Sequence, residues 1–292
     1  MRPVPPRGSP PASQCGRTAP SKLSPHSGPI AGPLRRLGPA TRSVNNLAGL
    51  ASYVSFAFAL VVAARWWSGR RPSFAFWALG LLIFAAAAAA QSQGESQGFE
   101  QHVVLFRLFY LLGGALGVIY LALGTLYLLV PRRVANVSAL VLLVLSVGVA
   151  VDAFTAPVAA AQLGTPCGLF GGAYSPTAPV ALAAVFFNII GTLIFVGGAA
   201  WSAWRFIRQR AELDRIVCNV LLTAGALVIA AGFSAAKVTS AAGHCATTSL
   251  DYLGAYELIG MVLMFAGFLS LGVVGPRPRG RSTLPETGVT SS

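Results

Sequence analysis

Long apolar runs separated by short polar interruptions make up most of this chain. The longest run, Val103 to Val130, carries one charge, Arg107, and stops at Pro131 with Arg132 and Arg133 behind it. A helix rises about 1.5 Å per residue and the hydrocarbon core of a bilayer is about 30 Å thick, so this run is long enough to cross a membrane with tilt to spare. Gly113, Gly117 and Gly124 recur along it at helical spacing. Such a stripe lets a neighbouring helix approach closely in lipid, where packing replaces the hydrophobic effect. The pattern predicts the central helix of a bundle.

Six more runs predict spans at about Asn46–Ala64, Phe74–Ala90, Val134–Asp152, Val180–Ala200, Ile216–Ala236 and Leu253–Val274. The fold class is therefore an all-α membrane protein with a seven-helix transmembrane bundle. Four segments on one side of the predicted topology are basic: Arg65 with Arg70 and Arg71, Arg132 with Arg133, Arg205 to Arg215, and Arg277 to Arg281. On the other side, the loops Gln91–His102 and Phe154–Ala178 hold no Lys or Arg, and Lys237 is the lone cation before Leu253. By the positive-inside rule the amino terminus lies outside and the carboxyl terminus in the cytoplasm of a multi-pass cell-membrane protein. Trp66 and Trp67, then Trp201 and Trp204, stand at the arginine-bearing ends, as interfacial aromatics do.

Composition sharpens this picture. Hydrophobic residues make up 55% of the chain, charged residues 10%, and the mean hydropathy is +0.68, well outside soluble globular usage. The net charge of +13 sits beside apolar runs, which points to the anionic inner leaflet as its partner and away from nucleic acid. The dominance of Arg over Lys and of Ala, Gly and Val in the spans is the bias of a GC-rich bacterial genome. Residues 1–43 are rich in Pro, Ser, Gly and Arg and predict a disordered tail; 44–275 form the helical domain and 276–292 a disordered cytoplasmic tail. The amino-terminal stretch lacks the apolar core of a cleaved signal peptide. Its seven basic residues, from Arg2 to Arg42, conflict with an outer location. Either the tail is translocated because the later loops dominate, or translation starts downstream, for example at Val44.

The layout contains a repeat. Spans one and five finish in Trp and Arg, spans two and six in polar outer loops, and spans three and seven in an apolar run, a proline and arginines. With span four as the odd helix this is a parallel three-plus-one-plus-three arrangement. It resembles the layout of sugar transporters of the SWEET type, although neither triplet carries their proline-glutamine pair. Span count and orientation are also similar to those of microbial rhodopsins, but these attach retinal to a lysine of the seventh helix. That helix has none here, and Lys237 ends the sixth. Leu284 to Gly288 match the LPxTG sorting motif in letters, without the hydrophobic span and basic tail that follow it in that family. We read the match as coincidence.

Ionisable residues gather at the outer end: Arg107, Asp152, Lys237 and Glu257, with Tyr110 nearby. An ionisable group inside a span marks a functional cavity or a structural ion pair. Arg107 is expected to pair with Glu257 or Asp152, and the pair is either packing or part of a ligand or ion pocket. Asn188 and Thr192, one turn apart in span five, line a polar path or bond a neighbouring helix. Cys167 and Cys245 fall in outer loops and predict a disulfide. No metal or cofactor is implied. His244 alone cannot complete a zinc site around those cysteines, and His26, His102 and His244 lie outside the apolar cores where a haem would need a ligand.

No paired carboxylates, Ser-His-Asp set or H-E-x-x-H helix occurs, so the sequence reads as non-enzymatic. The repeat and the outer polar residues favour a small-solute transporter-like bundle with an outward-facing polar pocket for a small-molecule ligand. The alternative is a receptor, sensor or structural subunit acting through a protein partner or oligomer.

Overall fold

A computed structural model of the chain describes residues 46–163, 168–209, 213–241 and 249–273. Its regular elements are helices, and seven of them are long and apolar enough to cross a membrane: α1 (Leu47–Gly69), α2 (Pro72–Gln97), α3 (Val103–Leu129), α4 (Arg132–Thr155), α5 (Pro179–Arg208), α6 (Leu213–Ala241) and α7 (Ser249–Val273). The all-α seven-helix bundle expected from hydropathy is present. Between α4 and α5 stand a short helix, Ala160–Leu163, and a π-helical turn, Gly168–Gly172. The disulfide expected between Cys167 and Cys245 falls outside the described residues, as do the two tails.

Local chemistry sets the helix ends. Asn46 caps α1 by accepting the Gly49 N–H at 3.0 Å, satisfying a donor that has no intrahelical partner. At the other end Arg70 takes a left-handed conformation (φ 49°) and its guanidinium carbon lies 4.7 Å from the centre of the Trp67 ring, a cation–π contact. Arg208 makes the same contact with Trp204 at 4.7 Å, so the two Trp/Arg ends of the sequence share one local architecture. Pro72 and Pro179 begin α2 and α5, where a missing N–H costs nothing. Helix α2 continues past the predicted boundary at Ala90, through Gln91 and Glu95, and ends at Gly98 with φ 89°, a backbone angle that suits glycine.

Six helices close a ring in the order α1, α2, α3, α5, α6, α7 and back to α1. Small residues sit at the close approaches. Gly80 lies against the Leu121 backbone, Gly191 against that of Ile119, and Gly225 and Gly260 face each other between α6 and α7. In lipid such contacts replace the hydrophobic drive. Of the α3 stripe, Gly124 meets Trp77 and the Ser73 carbonyl, and Gly113 meets Ala87. Helix α4 packs outside the ring on α3 and α5, burying Leu142, Val149 and Ala153 and exposing Val137, Leu140, Val144 and Val151. Helix α3 is not uniform: Tyr110–Leu116 winds as a π-helix.

Candidate functional site

The polar residues expected to share one pocket do share one end of the bundle, but they divide into three groups. Arg107 forms no ion pair with Asp152 or Glu257. Its guanidinium donates to the carbonyl oxygens of Ala153 and Ala156, the latter at 3.0 Å, at the carboxyl end of α4. A cation there satisfies carbonyls that lack a helical partner and complements the negative end of the helix dipole. Asp152 turns the other way. Its Oδ2 accepts the backbone N–H of Val180 at 2.8 Å, capping the first turn of α5, where a carboxylate is favoured. Depth along the membrane was a good guide to these residues, yet their faces differ, and each charge has a helix end closer than any opposite charge.

Tyr174, in the segment between α4 and α5, completes this first group by donating to the Ala153 carbonyl at 2.7 Å. Burial pushes its phenol up to about 12, against the pull of the Arg107 guanidinium. Tyr110 belongs here too, as its ring meets that of Tyr174 at 5.0 Å and that of Phe106 at 5.7 Å. These aromatic rings pack against one another at the end of the bundle.

The second group lines a cavity of about 460 Å³ between α3, α5 and α6, floored by Met261 and Met264 of α7. Asn188, Thr192, Ser234 and Lys237 are its polar residues, so two of the expected pocket candidates, Asn188 and Lys237, come together across α5 and α6. The rest of the lining is apolar. Asn188 is held in place by donating to the Ala184 carbonyl at 2.7 Å on its own helix and to the Gly114 carbonyl within the π-helical turn of α3. A π turn replaces the i→i+4 repeat with i→i+5, and such turns gather at functional sites. Val185, Ile189 and Leu193 also line the cavity and are 45%, 54% and 69% exposed, so one wall is open to the surface that faces the acyl chains. Towards the Trp/Arg end Phe58, Trp77, Phe195 and Phe268 pack around a void of only about 10 Å³.

No family model, curated protein or solved structure matches this chain. Function must therefore be argued from its own residues.

The third group was missed in part by sequence reasoning. Glu257 is 2% exposed and Gln91 fully buried, and one side-chain oxygen of each, Glu257 Oε2 and Gln91 Oε1, has no hydrogen-bond partner. Gln91 Nε2 donates to Glu95 Oε1 at 2.8 Å. Glu257 lies two turns into α7, since that helix begins at Ser249. Gln91 and Glu95, expected in a loop, lie on α2; no proline interrupts Ala90 to Gly98, and the helix passes through Gly94. Among the described residues no group of three or more His, Cys, Asp or Glu converges as a metal site would require.

Proposed function

We propose that this membrane-spanning bundle is a small-solute transporter-like protein whose solute is a compact lipophilic anion held in the cavity between α3, α5 and α6. The cavity carries the reading. Its volume of about 460 Å³ lies within the roughly 300–1,000 Å³ of ordinary small-molecule sites. Its wall is apolar, which suits a hydrocarbon body. Lys237 provides the charge that would fix an anionic end, and the Thr192 and Ser234 hydroxyls line the same cavity as hydrogen-bond donors, Asn188 having both its N–H groups engaged by carbonyls. The exposed Ile189 and Leu193 suit entry sideways from the bilayer.

Octanesulfonate and octanol make the test, because they share a chain and differ in charge. With the purified protein in lipid nanodiscs, octanesulfonate should bind and raise the melting temperature. Lys237→Ala should lose most of this shift while the smaller octanol effect persists. Equal binding of both compounds to the wild type would overturn the assignment of Lys237.

A receptor or sensor is the second reading, favoured by the tight packing beneath the cavity, which suits a blind pocket. Uptake of octanesulfonate by proteoliposomes above protein-free vesicles supports transport; saturable binding without uptake supports sensing. We further propose, from the arginine distribution, that the Trp/Arg end faces the cytoplasm and that the amino terminus lies outside.

A further inference from the structure

Glu257 poses a problem of charge. It is buried at 2% exposure in α7, and no cation among the described residues pairs with it. Helix α7 packs on α6 and α1. The ionisable residues of α6 are Lys237, which lines the cavity, and Asp214, Arg215 and Cys218 at the far end. Those of α1 are Tyr53, which is 76% exposed, and Arg65 near its far end. Of the described ionisable side chains on α7 besides Glu257, Tyr252 and Tyr256 are 63% and 39% exposed. Lys237 makes no ion pair with Glu257, and among the described residues the charged group that acts on it is another carboxylate, Glu95.

The hydrogen-bond ledger has a matching gap. Glu257 Oε2 and Gln91 Oε1 are both buried oxygens without a partner. Gln91 is bound through its Nε2 to Glu95, and the helices that carry these residues and Glu257 both meet the start of α1, where Ser92 donates to Asn46 Oδ1 at 2.6 Å and Gly254 lies against Leu47 and Ala48. An ionised carboxylate and an amide oxygen are both acceptors, and what the cluster lacks is a donor. A buried acceptor left unmatched is costly, and native structures rarely keep one. An alkali or divalent cation would need many oxygens around it, whereas two are unmatched here. A single proton suffices.

We propose that Gln91, Glu95 and Glu257 form a proton-binding site within the membrane, with the proton resident on Glu257 Oε2 at neutral pH. The carboxylic acid hydroxyl donates to the Gln91 amide oxygen and satisfies both orphan atoms. Glu95, half-buried one turn further along α2, is the exchange partner: Glu257–COOH and Glu95–COO⁻ give Glu257–COO⁻ and Glu95–COOH, and Glu95 then releases the proton to water. The site is separate from the cavity and stands whether or not the cavity binds an anion.

Infrared difference spectroscopy of the full chain in nanodiscs tests this directly. At neutral pH the wild type should show the carbonyl stretch of a protonated carboxylic acid, shifted down in D₂O and absent in Glu257→Gln. Gln91→Leu should keep the band and move it to higher frequency, because the acid loses its acceptor. Glu95→Gln should keep the band but slow its exchange in D₂O. The isosteric Glu257→Gln should also flatten the dependence of melting temperature on pH between neutral and alkaline conditions. Absence of the band in the wild type, which requires no variant to fold, overturns the proposal. So does its persistence in Glu257→Gln, or a melting temperature that follows sodium or lithium at fixed pH and ionic strength.

Discussion

The Asp152 carboxylate accepts the backbone N–H of Val180 at 2.8 Å, so the last turn of α4 caps the first turn of α5. The two helices are joined by a long connection, and this contact fixes where the second begins regardless of it. Asp152→Ala should destabilise the bundle by about 0.5–2 kcal/mol, the usual range for a lost amino-terminal cap, while Asp152→Asn, which keeps an acceptor, should cost less. Thermal unfolding in detergent, followed by circular dichroism, reads the difference. Equal losses in the two variants would mean that the cap is not made in solution.

Arg107 works at the same helix end through the carbonyls of Ala153 and Ala156. Hydrogen bonds from a charged group are worth about 1.5–3 kcal/mol, so Arg107→Gln should lower stability measurably. Because Arg107 and Glu257 occupy separate networks, the double variant Arg107→Gln/Glu257→Gln should equal the sum of the single effects within about 0.5 kcal/mol. A strong departure from additivity would restore the direct pairing that their shared depth suggests.

Tyr174 gives a pH signature. Its phenol is pushed up to about 12 by burial, above the ordinary value near 10. The neutral form is favoured in the folded state, so its stabilising contribution is complete below pH 10 and is lost as pH rises from 10 through 12. The wild type should lose melting temperature across that window, and Tyr174→Phe, already without the bond to Ala153, should lose less. Parallel curves would remove Tyr174 from the account.

Gly124 tests the close packing of α2 on α3. A Cβ there would run into the Trp77 ring and the Ser73 carbonyl, so Gly124→Ala should cost about 1–3 kcal/mol by overpacking. Pairing it with Trp77→Phe, which vacates space, should recover part of the loss; no recovery would place the strain at the Ser73 carbonyl.

For orientation, reporter fusions after Arg133 and Gly275 should both read cytoplasmic. An external signal at either would reverse the proposed topology.

Hydropathy made the seven spans legible because membrane insertion imposes length and apolarity on each helix separately. It marked the apolar stretch of each helix and not the helix ends. Helix α2 runs to Gln97 and α5 to Arg208, beyond the apolar runs ending near Ala90 and Ala200, because Gln, Ser, Glu and Arg continue a helix perfectly well in a polar setting. Depth was legible too: Arg107, Asp152, Lys237 and Glu257 lie at one end. The direction in which each points was not, since azimuth depends on which helices become neighbours and on the winding between. Asn188 and Lys237 meet across a cavity that neither span records alone, and Gln91 acquires meaning only beside Glu95 and Glu257.

The π-helical turn in α3 bears on that winding. An extra residue in a uniform α-helix would rotate everything beyond it by about 100°, breaking every contact on one side of the insertion. Tyr110–Leu116 takes up such a surplus locally. The half of α3 before it, with Arg107, is keyed to the end of α4, and the half after it, with Gly124, is keyed to Trp77 on α2. The turn acts as a phase adjuster between two independently fitted surfaces, so each half can be altered without rotating the other out of place.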